Sequence, residues 1–158
     1  MISWSFVFSE LYLHMDALDR KIISLINSNG RASNAHVARQ VGVSEGTVRR
    51  RLKKLIRDDV IHIVGIPNPE KLGLPTEAII GLKVDPEQIE AVANKLSEMD
   101  GTQYVTSTTG AYDIFTWVAV SSPDSLRRFL LEQVAPIPGI RSTETFVNLS
   151  IKKRFYEG

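Results

Sequence analysis

Between residues 16 and 58 apolar positions recur at helical spacing. Leu18, Ile22, Leu25 and Ile26 fall at i, i+4, i+7 and i+8, one stripe of a helix over residues 16–29, with Asp16 as N-cap and Gly30 as stop. Val37, Ala38 and Val41 predict a shorter helix over residues 33–41, capped by Ser33 and broken by Gly42. A third helix starts at the N-cap Ser44 and turns Val48, Leu52, Leu55 and Ile56 inward. Only Gly42, Val43 and Ser44 separate the second helix from the third, and two amphipathic helices joined so tightly form a helix-turn-helix.

The pattern then changes. Residues 60–66 (VIHIVGI) are β-branched and read as a strand, and residues 67–75 (PNPEKLGLP) carry three prolines and Gly73, the composition of a link. A near-repeat follows. TEAIIGLKV reads as a strand, Asp85-Pro86 opens a helix with Ile89, Val92, Ala93 and Leu96 on one face, and Gly101 precedes the strand TQYVTSTT. In the second copy YDIFTWVAV is a strand, Ser122-Pro123 opens a helix with Leu126, Phe129, Leu130 and Val134 inward, and Gly139 precedes IRSTETFVNLSI. Two such units in series give βαββαβ, a ferredoxin-like sheet with helices on one face. The opposite face needs a cover, and a second subunit is the usual one. The expected class is α+β: a winged-type helix-turn-helix over 15–59, a strand and link over 60–75, and a ferredoxin-like ligand-sensing and oligomerisation domain over 76–158.

Charge sharpens this division. Residues 15–66 hold ten Lys or Arg against five Asp or Glu, whereas residues 67–158 hold nine against twelve. A basic front and an acidic back point to a polyanionic partner for the front alone. The cations concentrate on the third helix, where Arg50, Lys53, Lys54 and Arg57 lie opposite the apolar stripe with Arg49 and Arg51 on its flanks. This is the helix of the motif that enters the major groove. Guanidinium groups pair bidentately with guanine edges and lysines suit phosphates. The polar start, Ser44, Glu45 and Thr47, lets the helix end approach the bases. Ser44, Glu45, Thr47, Arg49, Arg50, Arg51, Lys53, Lys54 and Arg57 are therefore the candidate DNA contacts.

Enzymatic chemistry finds no support. The chain has no cysteine, which excludes a disulfide, a thiolate metal site and a cysteine nucleophile. His14, His36 and His62 show no metal-ligand spacing, and no phosphate-binding loop or nucleophile elbow occurs. Neither a catalytic residue nor a metal is expected. No stretch is long enough to span a membrane, and the apolar start MISWSFVFSELYLH lacks the positive region and small-residue cleavage site of a signal peptide; a cytoplasmic protein is expected. Residues 108–113 (TTGAYD) join the two halves of the repeat. On the residues alone a plain hairpin turn explains them better than ligand contact does, although Gly110 supplies positive φ and the Thr and Asp side chains suit a polar ligand.

The stretches LDRKIISLINSNGRASNAHVARQVGVSEGTVRRRLKKLIRDDVI, PNPEKLGL and TTGAYDIF, in this order, resemble the Lrp/AsnC family of feast/famine regulators. The resemblance spans nearly everything from Met15 onward. It implies a helix-turn-helix joined to a ferredoxin-like ligand domain, binding to double-stranded DNA, dimers formed through the sheet domains that often assemble into octamers, and an amino-acid or related small effector held near the turn, with no tightly bound cofactor. It moves the turn from the bland reading to ligand contact. The candidate effector residues are Thr109, Gly110, Tyr112 and Asp113, with Asp113 suited to an α-ammonium group, and Thr143 and Thr145 chosen as polar residues of the last strand. Glu45 stands where Pro often follows the N-cap, and Ala111 where larger or acidic residues are common. Neither operator nor ligand identity is therefore carried over. The competing reading is a metabolite-binding oligomer without DNA affinity, against which the cations from Arg49 to Lys54 argue. Residues 1–14 fall outside the resemblance and are expected to be an N-terminal extension ahead of a natural start at Met15, the rival being an added helix packed through Phe6, Leu11 and Tyr12.

Overall fold

The computed structural model describes residues 15–154, so the reading of residues 1–14 lies outside the described residues. The chain forms two compact units that meet in sequence between Gly65 and Ile66. The first unit holds three helices: α1 (Ala17–Ser28), α2 (Asn34–Val41) and α3 (Glu45–Arg57).

Each helix starts where a side chain satisfies its free N–H groups. Asp16 accepts from the N–H groups of Leu18 and Asp19 at 2.9 Å each, and the Asp19 carboxylate accepts from Asp16 N–H at 3.3 Å, a reciprocal capping box. Ser33 caps α2 through His36 N–H, and Ser44 caps α3 through Thr47 N–H. Gly42 ends α2 at φ 74°, a left-handed conformation that glycine adopts without strain. Ile22, Val37, Ala38, Val48 and Leu55 make the core, with Leu18, Leu25, Ile26 and Leu52 packed against it.

Three expectations for this unit need correction. α1 ends at Ser28 with Asn29 as C-cap, so Gly30 is not its stop. Ile56 is 43% exposed, because it sits roughly 100° around the helix from Leu55 and off the apolar stripe. Residues 60–66 form no strand. β-branched side chains favour extended backbone, but a strand exists only when its N–H and C=O groups meet a partner. No strand lies alongside this segment among the described residues, and Ile63, Val64 and Ile66 remain half or more exposed.

In the second unit β1 (Thr76–Val84) leads through a short 3-10 turn to α4 (Ile89–Ser97), then β2 (Thr102–Ser107), β3 (Ile114–Val120), α5 (Pro123–Arg128) and β4 (Ile140–Val147). This is the βαββαβ order. The strands form one antiparallel sheet in the order β2-β3-β1-β4. Ala78, Ile80, Leu82 and Val84 alternate along β1 and bury against Val92 and Leu96 of α4 and Leu126 and Phe129 from the second crossover. After Arg128 the helix widens to a π turn through Val134, and Ala135 N–H donates to the Leu130 carbonyl five residues back. The spacing of five between buried Phe129 and Val134 follows from that widening. Ser122 caps α5, but Asp85 makes no cap, because its carboxylate pairs with Arg141 at 2.7 Å instead.

Glu77, Ile79, Gly81 and Lys83 point to the other side of β1. There they meet Phe115 and Trp117 of β3 and Phe146 of β4. This open face is rich in aromatic surface: Tyr104 of β2 is 60% exposed and Phe146 43%.

Candidate DNA-binding helix and effector turn

Three consecutive arginines on α3 have three different surroundings. Arg51 donates from Nη1 to Asp16 Oδ2 at 2.5 Å and to both oxygens of Asp19 at 3.1 Å. Asp19 is almost wholly buried, so Arg51 is a strap from α3 to the start of α1, and its guanidinium is not available to DNA in this state. Arg49 pairs with Glu45 one turn back at 2.6 Å. Arg50 is exposed and, among the described residues, makes no ion pair; Lys53 and Lys54 share that condition. Arg57 pairs with Asp58 at the helix end, but its side chain stays largely open. Ser44 is occupied as the N-cap, and its hydroxyl meets that of Thr47 at 2.9 Å. The nine candidates thus separate into an outward face of Arg50, Lys53, Lys54 and Arg57, a paired edge of Glu45 and Arg49, and three residues engaged within the unit, Ser44, Thr47 and Arg51.

The Asp19–Arg51 strap was missed from the sequence because 32 residues separate its ends. A signal existed: Asp19 lies three residues before Ile22 and seven before Ile26, inside the apolar stripe. The same cluster gives a pH prediction. The Asp19 N–H, and after it the Arg51 guanidinium, hold the Asp16 carboxyl below its ordinary value of 3.8. A lowered folded value contributes stability that is present at neutral pH and is lost as pH falls through the acid range into that lowered value. Asp16→Asn keeps the capping oxygen and removes the titration. Its thermal midpoint, followed by circular dichroism from pH 6 down to about pH 2, should fall less steeply than that of the unchanged chain.

The candidate effector turn is held by more than the hairpin ladder. Thr108 N–H donates to the Asp113 carbonyl at 2.8 Å, and the Thr108 hydroxyl donates to the Tyr112 carbonyl at 2.6 Å. Thr109 and Gly110 form the exposed tip, and Gly110 has φ 116°, where a side chain would be strained. Asp113 is half-buried. Its Oδ2 accepts Val84 N–H at 2.8 Å, where the register of β1 against β4 shifts, so the carboxylate satisfies a strand N–H beside that irregularity. Tyr112 folds back over the open face. A Cβ added to Gly81 would lie 2.8 Å from its ring, which also packs edge-on against Phe115 and Phe146. The phenol donates to Glu144, and that carboxylate raises the Tyr112 hydroxyl above its usual pKa.

The structure does not bring all six effector candidates together. Thr143 and Thr145 stand opposite Leu82 and Ile80 in the register, on the helix side of the sheet, whereas Tyr112 and Glu144 are on the open side. Glu144 carries no signal in the sequence, because its partner is 32 positions away. Gly81 did carry a signal, since an isolated glycine inside a strand pattern marks a close approach.

Elsewhere in this unit a polar cleft of about 370 Å³ lies between Asn68, Glu70 and Pro75 on one side and residues 148–151 on the other. At its floor Glu77, 7% exposed, is held by Arg154 at 2.5 and 3.1 Å and by the Trp117 indole N–H at 3.1 Å. None of the predicted effector residues lines it.

Models of known families match both units. Residues 15–56 match the AsnC-type helix-turn-helix domain, and residues 77–157 match the Lrp/AsnC ligand binding domain. The chain belongs to the Lrp/AsnC family. An HTH-type transcriptional regulator of Pyrococcus furiosus is 39% identical over 143 residues, 90% of this chain and 97% of that protein. Among solved structures, Escherichia coli AsnC is 31% identical, with a TM-score of 0.80 over 89% of this chain and 95% of its own. A Neisseria meningitidis regulator solved in complex with L-Met shares the fold, with a TM-score of 0.83 at 20% identity and coverage of 90% and 95%. Members of this family are transcriptional regulators, and the chain is a DNA-binding regulator with an N-terminal helix-turn-helix and an α+β ligand-binding domain. No helix among the described residues is long and apolar enough to cross a membrane.

Proposed function

We propose that the chain is an amino-acid-responsive regulator that binds duplex DNA through the outward face of α3 and works as a homodimer or a larger assembly of dimers. The observation that carries this is the set Arg50, Lys53, Lys54 and Arg57, exposed on the second helix of the motif while Arg51 is withheld. Arg50 is the candidate base-reading guanidinium, and the lysines are phosphate contacts. The aromatic open face of the sheet, with Tyr104 and Phe146 exposed, is the surface a second copy covers. The L-Met bound to the Neisseria meningitidis structure supports an amino acid as the effector class. The pocket includes Thr109, Gly110, Tyr112 and Asp113, with backbone N–H groups of the turn for a carboxylate and Asp113 for the ammonium. Thr143 and Thr145 have no part in it, because they face the other side of the sheet.

A thermal-shift screen of the full chain against the twenty amino acids finds the effector, since a ligand selective for the native state raises the midpoint. The variant to compare is Asp113→Asn. Asparagine retains an oxygen for Val84 N–H and removes the charge. The expected result is a folded protein with an unchanged unliganded midpoint, intact DNA binding and no ligand-induced shift. A full ligand response in Asp113→Asn removes Asp113 from the pocket.

A further inference from the structure

We infer that Glu45 is a specificity determinant of α3, accepting a hydrogen bond from the N4 amine of a cytosine while Arg49 pairs with a guanine beside it. This rests on the reading of α3 as the DNA-binding helix. Glu45 is the first residue of α3, in the turn that approaches base edges when such a helix enters the major groove. It is the one acid in a helix that carries six cations. A carboxylate there is repelled by every phosphate, so it weakens sequence-independent binding. The groove offers it hydrogen-bond donors only on base edges, and the cytosine amine is the one carboxylates pair with.

The geometry gives Glu45 a second effect. Its Oε1 holds Arg49 Nη2 at 2.6 Å on the same flank of the helix, with both side chains about half exposed or more. The pair keeps Arg49 beside the helix start. Stability does not explain the arrangement, since an exposed pair one turn apart adds little to a folded helix. The Ser44 hydroxyl already caps the helix. With Arg51 tied to α1, Glu45, Arg49 and Arg50 are the charged groups left to the first two turns of α3. A carboxylate and a guanidinium held together present an acceptor and a fork of donors, the complement of a cytosine amine beside the O6 and N7 of a guanine.

The test is selection of binding sites from a random duplex library by the full-length protein, in parallel for the unchanged chain, Glu45→Gln and Glu45→Ala at one fixed salt concentration. The unchanged chain should select a G·C pair at one position of each half-site. Both variants should lose that preference alone, with discrimination at the position falling about tenfold or more, and should bind random duplex at least as well as before. Glu45→Gln keeps size and helix start, so its melting midpoint controls for folding. A base preference unchanged in both variants overturns the inference, as does a uniform loss on selected and random duplex. Failure of the unchanged chain to bind any duplex overturns the parent reading of α3 instead.

Discussion

Arg51→Ala should clearly destabilise the helical unit, because it takes the cation away from a buried carboxylate. Its partner Asp19 has a side chain only 6% exposed, and both oxygens accept from the Arg51 guanidinium. Without Arg51 that charge stays in the core with little compensation, and a buried charge without its counterion is costly. Asp16 loses its partner at the same time. The helical transition in circular dichroism should move to clearly lower temperature. Arg51→Lys should recover only part of this, because one ammonium cannot span two carboxylates as a planar fork does. The adjacent Arg50→Ala should leave the midpoint nearly unchanged and instead weaken specific DNA binding by about 1–3 kcal/mol. A stable Arg51→Ala with weakened DNA binding would return Arg51 to the DNA face.

Arg154→Ala should destabilise the sheet unit by about 3 kcal/mol or more. Glu77 is buried on the open face with Arg154 across both its oxygens and the Trp117 indole on one of them. The two ends of the pair are not equivalent. Removing Arg154 strands a carboxylate that only Trp117 still satisfies. Neutralising Glu77 leaves a carbonyl oxygen in place for the guanidinium, whose side chain is 17% exposed. Glu77→Gln should therefore cost less than Arg154→Ala, because the amide oxygen still accepts from Trp117. Differential scanning calorimetry of the full chain resolves the sheet transition. Equal losses in the two variants would mean that Glu77 is better solvated than its surroundings indicate.

The sequence carried the local part of this account and lost the parts that act across distance. Asp16, Ser33, Ser44 and Ser122 all cap the helices that the pattern placed after them, because an N-cap acts on an N–H two or three residues away. The strand TEAIIGLKV runs from Thr76 to Val84 as the alternation predicted. Residues 60–66 show the opposite case. Their β-branched pattern describes a preference for extended backbone, and pairing is decided by what lies beside it. At the site, the basic face of α3 was legible because it needs only helical periodicity. The withdrawal of Arg51 and the seat of Tyr112 on Gly81 were not, since each joins residues about 30 positions apart. Thr143 and Thr145 were chosen on polarity, and a strand places alternate residues on opposite faces. The register against Ile80 and Leu82 was the missing information.

The outward cations of α3 are the proposed hold on duplex DNA. Fluorescence anisotropy of a labelled random duplex, titrated with the full chain at several salt concentrations, tests it most directly. The expected result is a straight fall of log K against log salt, with a slope near −0.9 for each phosphate neutralised. In the triple variant Arg50→Ala, Lys53→Ala, Lys54→Ala the slope should become shallower by about one for each phosphate that the removed cations had neutralised, while the melting midpoint holds. Salt-independent binding, or a triple variant that folds and keeps the full slope, would contradict the account.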